Sequence, residues 1–151
     1  MGGSAVVLGI TYGSAGPLDI QTIYDLNIML IDQYEDLESI DYEKVSKWIK
    51  NKINSHINEY TCIYFRGVKV GYYRLVLGED ETEMDDFYVF PEYQCKGIGT
   101  FVLNQCITNS MNPVFLYVFR RNTRAIRLYQ RMGFVTIETV GNTRLIMRYS
   151  G

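Results

Sequence analysis

Apolar and polar positions alternate along this chain with two periods, and the changes of period mark the elements. Ala5–Tyr12 reads as a first strand, ended by Gly13-Ser14-Ala15-Gly16-Pro17. Asp19 can cap a helix running to about Tyr34, with Ile20, Ile23, Tyr24, Ile31 and Tyr34 at helical spacing. A second helix follows Asp41, its apolar set being Val45, Trp48, Ile49, Ile53 and Ile57. Cys62–Phe65 and Val68–Leu77 are rich in β-branched and aromatic residues, and Arg66-Gly67 splits them into a hairpin. After the polar turn Gly78–Thr82 comes a strand, Glu83–Phe90, stopped by Pro91. Gly99–Asn109 is helical and Asn112-Pro113 ends it. Val114–Phe119 is a short apolar run suited to a buried strand. Asn122–Met132 is a helix closed by Gly133. Val135–Val140 and Leu145–Tyr149 form a last hairpin through Gly141-Asn142. The order β-α-α-β-β-β-α-β-α-β-β predicts an α/β fold with one mixed sheet in one domain, residues 1–151.

Composition narrows the function classes. The 151 residues suffice for a full core, since 47% are apolar. Three cysteines, Cys62, Cys95 and Cys106, have no close spacing, which argues against a disulfide framework or zinc site and fits the cytoplasm. A single histidine, His56, cannot build a multi-histidine metal site, so no metal is expected. No apolar run approaches the roughly 20 residues that span a bilayer, and no membrane partner is expected. Residues 112–151 carry seven arginines and one acid, a charge of +6. The remainder carries eight basic and sixteen acidic residues, a charge of −8. This division suits an anionic ligand near the C-terminal part and a cationic one near the N-terminal part, while two solvated faces are the plainer explanation. The acidic balance argues against a nucleic-acid partner.

Gln94-Cys95-Lys96-Gly97-Ile98-Gly99 lies between a strand and a helix. The N–H groups of a first helical turn lack partners and carry partial positive charge, so the loop suits a phosphate. Glycine lets the phosphate approach the backbone, and Lys96 adds a cation. A dinucleotide fingerprint fails at Val102, where Gly or Ala is needed, and a P-loop fails because Lys96 precedes Gly97.

Val89-Phe90-Pro91-Glu92-Tyr93-Gln94-Cys95-Lys96-Gly97-Ile98-Gly99-Thr100 resembles motif A of the GNAT family of N-acetyltransferases. Asn122-x-x-Ala125-x-x-Leu128-Tyr129-x-x-x-Gly133-Phe134 is similar to motif B, in register with the first. The resemblance covers roughly residues 60–149. It implies a mostly antiparallel sheet flanked by helices, with strands Glu83–Phe90 and Val114–Phe119 splayed around acetyl-CoA. Backbone groups near Tyr88 and Val89 would meet the pantetheine amides. The N–H groups from Gln94 through Cys95, Lys96, Gly97 and Gly99 to Thr100 would hold the pyrophosphate. Asn122 would contact the pantetheine arm, though a helix N-cap is its plain reading too. Tyr129 would protonate the departing sulfur, and is otherwise a core aromatic.

Glu83, eleven residues before Gln94, matches the general base of the histone-modifying branch, with Asp85 second; a strand-edge carboxylate is the plain alternative. Alternation places Glu83, Asp85, Phe87 and Val89 on one face and Met84, Asp86 and Tyr88 on the other. Six acids and two tyrosines within Asp32–Glu43 would attract a cationic amine, or form a solvated loop. The implied activity is acetyl transfer from acetyl-CoA to a primary amine of a small molecule or peptide. A non-catalytic CoA-binding module or a dimeric interaction domain of the same fold is the alternative. A homodimer is a further expectation of the resemblance.

Overall fold

The computed structural model describes residues 9–151, so half of the predicted first strand, from Ala5 to Leu8, lies outside the described residues. The described part, β1, is Ile10–Ser14, running through the glycine expected to end it. Next come α1 (Ile20–Tyr34), α2 (Tyr42–His56), β2 (Tyr60–Phe65), β3 (Val68–Leu77), β4 (Thr82–Val89) and α3 (Ile98–Asn109). The chain closes with β5 (Val114–Phe119), α4 (Thr123–Met132), β6 (Phe134–Val140) and β7 (Arg144–Tyr149). The seven strands make one sheet in the order β1-β2-β3-β4-β5-β7-β6, antiparallel except between β4 and β5. The predicted element order and fold class are those observed.

Local chemistry accounts for the ends. Asp41 caps α2 by accepting the Lys44 N–H at 3.2 Å. Asp19 does not cap α1 with its side chain. It accepts the Gly16 N–H at 2.9 Å and the Tyr72 hydroxyl at 2.9 Å, and pairs with Lys69. Burial opposes its charge, but these partners outweigh burial and hold the carboxyl below its ordinary range. Arg66 (φ 52°) and Gly67 (φ 83°) take the left-handed conformations of a two-residue hairpin turn.

Each face of the sheet has its own core. Ile23, Ile31, Ile49, Ile53 and Ile57 of the α1–α2 layer pack on Tyr60, Cys62 and Tyr72. Trp48 was expected in that stripe but is 63% exposed. It stands one residue off the Val45-Ile49-Ile53 line, and its ring lies 5.8 Å from Lys52 Nζ. On the other face Ile98, Val102, Leu103, Cys106 and Tyr129 pack on Met84, Val89, Leu116 and Met147.

Two irregularities in β4 shape the sheet around its centre. The strand pairs with β5 only at Thr82↔Val114 and Glu83↔Phe115. Thr82 N–H bonds to the Pro113 carbonyl at 2.9 Å and pins this apex. Beyond it Met84–Val89 and Leu116–Phe119 diverge without pairing, which opens a V. In addition Arg74 pairs with Asp85 but Tyr72 with Tyr88, so Tyr73 alone faces Asp86 and Phe87. This is a β-bulge, with Asp86 in the left-handed region at φ 51°. The bulge corrects the expected alternation. Glu83, Asp85, Asp86 and Tyr88 face the α1–α2 layer, whereas Met84, Phe87 and Val89 face α3 and α4.

Candidate active site

The mouth of the V carries the glycine loop. Pro91–Tyr93 forms one 3-10 turn, and Gln94 N–H is committed to the Pro91 carbonyl at 3.2 Å. Cys95 (φ 62°) and Gly97 (φ 85°) then turn the chain into α3. Gly97 is the N-cap and supplies no side-chain cap. Among the described residues no backbone bond uses the N–H groups of Cys95 through Thr100. Cys95, Lys96, Gly97 and Thr100 are exposed, so this nest of donors faces outward. A Cβ on Gly99 would touch Phe87 Cζ at 3.7 Å, Val89 Cγ2 at 3.8 Å and Leu128 Cδ2 at 3.9 Å. The larger side chains of other residues would press into the floor of the V from there.

The walls of the V differ in character. Phe90 N–H bonds to the Val70 carbonyl, and the Tyr88 carbonyl lies against Gly71, so both point toward β3. Alternation turns the backbone groups of Val89 into the V, where its carbonyl accepts Gln94 Nε2 at 2.7 Å. Asn122 caps α4, its Oδ1 accepting the Ala125 N–H at 3.2 Å, which leaves its amide NH₂ uncommitted among the described residues. Tyr129 is buried against Phe134, with ring centroids 5.8 Å apart. Burial alone pushes its phenol up to about 12, so it remains a proton donor at neutral pH.

On the α1–α2 face of β4 sits a network of charges. Lys52 of α2 reaches Asp85 and Asp86, each at 3.2 Å. Arg74 bonds to Asp85 at 3.0 Å and to Glu59 at 2.9 Å, and the Tyr60 hydroxyl donates to Asp86 at 2.6 Å. Burial opposes the charge on Lys52, but Asp86 and Asp85 outweigh it and raise its pKa. Asp85, the second base candidate, is thus held by two cations. Glu83 has no ion pair or hydrogen bond among the described residues. Burial first, then the charge of Asp85, raises its carboxyl above the ordinary range.

The loop from Cys95 to Thr100, the backbone of Val89 and Asn122 at the start of α4 thus flank the V, while Tyr129 lies in the core beneath α4 and Glu83 stands at the apex on the α1–α2 face of β4. Sequence reasoning missed Arg124, whose guanidinium donates to Cys95 Sγ and so hangs over the glycine loop from α4. Its only sequence signal is membership of the arginine-rich C-terminal segment. Lys52 and Asp86 were also missed, because they act through the bulge.

A helix N-terminus with open N–H groups beside a splayed strand pair suits a phosphate-bearing ligand. The sequence profile of the acetyltransferase (GNAT) family matches residues 23–134, and the chain belongs to that family. It is 27% identical over 132 residues to the probable spermine N(1)-acetyltransferase of Bacillus subtilis subsp. natto, covering 78% of this chain and 87% of that one. The spermine/spermidine N(1)-acetyltransferase of Bacillus subtilis strain 168 matches equally. The PaiA N-acetyltransferase of Thermoplasma acidophilum, solved with coenzyme A, superposes with TM-score 0.68 at 21% identity over 94% of this chain and 99% of that one. An acetyltransferase of Thermus thermophilus gives TM-score 0.70 at 14% identity, over 94% and 97%. The protein is an acyl-CoA-dependent N-acetyltransferase that takes acetyl-CoA as co-substrate and an amine as acceptor. Among the described residues no cluster of side chains could hold a metal ion, and no helix is long and apolar enough to cross a membrane.

Proposed function

We propose that the acceptor is a small cationic primary amine of the polyamine type, acetylated by direct attack in a ternary complex. The observation that carries this reading is the acid-rich face of β4. Glu83, Asp85 and Asp86 of that strand, with Glu59 of the turn before β2 beside Arg74, outnumber Lys52 and Arg74, and the excess negative charge favours a cation. The similarity to spermine acetyltransferases supports it.

Acetyl-CoA supplies the activated thioester. The N–H groups from Cys95 to Thr100, with Lys96 and Arg124, hold its pyrophosphate, and the backbone of Val89 and the amide of Asn122 hold its pantetheine arm. Glu83 takes a proton from the acceptor nitrogen, through water, as the new C–N bond forms. Its raised pKa suits a base that works near neutrality. As the C–S bond breaks, Tyr129 gives its proton to the sulfur, and solvent restores it. Fixed geometry supplies most of the acceleration, since both reactants are held on one rigid sheet.

Residues 1–151 act as one catalytic domain on this reading, and the cytoplasm is its compartment, in keeping with three unpaired cysteines. A homodimer is part of the proposal. The edge strand β6 exposes Val135, Ile137 and Val140, and Tyr117 of β5 is exposed across the intervening β7, an apolar area suited to a second copy. Sedimentation of Ile137→Lys beside the parent chain tests this. A parent chain that sediments as a monomer refutes it.

The acceptor is tested by free-thiol release with a panel of amines. Spermine, spermidine and diamines should be turned over in preference to peptide α-amines. Preference for peptides would overturn the acceptor assignment and leave the enzyme class standing.

A further inference from the structure

The wide end of the V, away from the apex, is flanked on the α1 side by a group of residues with no part in the chemistry above. Phe119 ends β5, and the last residues of α1 lie over it, with the Tyr34 ring 6.3 Å from that of Phe119 at 31°. Tyr88 of β4 is close enough for Tyr34 to help raise its phenol, after burial. Glu35 comes directly after Tyr34, and its side chain is only 6% exposed. Its Oε1 accepts the Asp36 N–H at 3.1 Å. Its Oε2 has one cationic neighbour among the described residues, Arg144 Nη2, at the loose distance of 4.0 Å. The Arg144 guanidinium also lies 5.4 Å from the centre of the Phe119 ring, which its strand pairs with in register.

A buried carboxylate and an aromatic face are the two receptors that an alkylammonium seeks. The C-terminal end of a helix adds a third attraction for positive charge. All three converge at the end of α1, and the residue that engages two of them is itself a half-exposed cation, its side chain 45% accessible. The contact to Glu35 is too long for a hydrogen bond, so Arg144 neutralises the carboxylate without binding it tightly.

The geometry points to a self-occupied cation site at the wide end of the V: Arg144 shields Glu35 and Phe119 until the distal ammonium of a diamine-type acceptor takes its place. This rests on the cationic-amine reading above and assigns the residues that measure acceptor length and charge. The reacting amine lies toward the apex and Glu83, and the second cation of the acceptor lies between Tyr34, Phe119 and Glu35. Arg144 swings to solvent, where its side chain already half resides. A monoamine without a second charge gains nothing from the site.

The test is steady-state thiol release with butane-1,4-diamine and with butylamine, in the unaltered chain and in Glu35→Gln, Glu35→Asp and Arg144→Gln. Glu35→Gln should raise KM for the diamine about tenfold while moving KM for butylamine less than about twofold. Glu35→Asp, which keeps the charge, should recover part of the loss. Arg144→Gln should lower the diamine KM about threefold, because the competing cation is gone. KM for acetyl-CoA and the melting temperature report whether each variant is folded. Equal losses for both amines in Glu35→Gln, or a higher diamine KM in Arg144→Gln, would overturn the inference while leaving the acceptor reading in place. If the unaltered chain turned over neither of these amines nor spermidine, the acceptor reading itself would fall.

Discussion

Replacing Lys52 by methionine removes the cation that clamps the β4 bulge and leaves most of its packing volume. Lys52 Nζ is 3.2 Å from both Asp85 and Asp86, with the side chain 16% exposed. Two close charges at such a half-buried site attract by about 5 kcal/mol at an effective dielectric of 20, before desolvation is set against it. Removing one partner of a buried pair typically costs 3–5 kcal/mol, because the other charge is stranded. Asp85 keeps Arg74 and Asp86 keeps Tyr60, which places the expected loss at the lower end, about 3 kcal/mol. At 2–4 °C per kcal/mol for a chain this long, the melting temperature at neutral pH should fall by roughly 6–12 °C.

The sign of the pH dependence comes from Asp85. Its carboxyl is already raised by burial first and by Asp86 second, and loss of Lys52 raises it further. A group raised in the folded state contributes stability below its unfolded pKa and loses it as pH rises through the folded value. The deficit of the variant should therefore be full at neutral pH and narrow as pH falls into the carboxylate range. Thermal denaturation over that range is the assay, with Lys52→Met/Asp86→Asn as the second arm of a double-mutant cycle. The double variant should recover part of the loss, since one stranded charge is gone. A fall of under about 2 °C at neutral pH, or a deficit that widens at low pH, would refute the clamp.

Other expected outcomes concern the sheet and the reacting groups. A Cβ on Gly71 would clash with the Tyr88 carbonyl oxygen, so Gly71→Ala must displace the strand after the bulge. It should cost about 1–3 kcal/mol by chemical denaturation, with a raised KM for acetyl-CoA. Tyr129→Phe should lower kcat by about 10²-fold or more and leave acetyl-CoA affinity near that of the parent chain, as single-turnover and binding measurements would show. Glu83→Gln should lower kcat/KM by a similar factor, about 10², and abolish the acidic limb of its pH profile. In the parent chain that limb should lie above the ordinary carboxylate range, because burial and Asp85 raise the Glu83 carboxyl. Arg124→Gln should weaken CoA more than it weakens pantetheine, measured by calorimetry, since only CoA carries phosphates and the guanidinium stands over the glycine loop proposed to hold them.

The helices and turns were legible because their signals are local. Ile49 and Ile53 are buried as the helical period of α2 requires, Gly133 closes α4 at φ 106°, and Arg66-Gly67 makes the hairpin turn. The glycine loop was legible because an open helix N-terminus depends on the order of a few neighbouring residues. The bulge was not. Asp86 takes a left-handed conformation where no glycine advertises it, and strict alternation then misplaced Asp86, Phe87, Tyr88 and Val89 relative to Glu83. Nor could spacing show that Lys52, distant in sequence, would neutralise Asp85 and so single out Glu83. Trp48 was misplaced because helical periodicity gives a stripe but not its edge, and the edge depends on what the sheet leaves uncovered. The cluster of Tyr34, Glu35, Phe119 and Arg144 joins three distant segments, which only the assembled sheet and its helix layer bring together.

Direct transfer between two substrates bound on one sheet makes a simple statement about where the acetyl group can be found. A mass measurement of amine and protein after reaction of acetyl-CoA with spermidine, alongside titration of the released thiol, reads it out. One singly acetylated amine should form for each thiol released, with no acetyl group on the protein. Thiol release without acetylated amine, or an acetyl group left on a side chain of the enzyme as an obligatory intermediate, would rule direct transfer out.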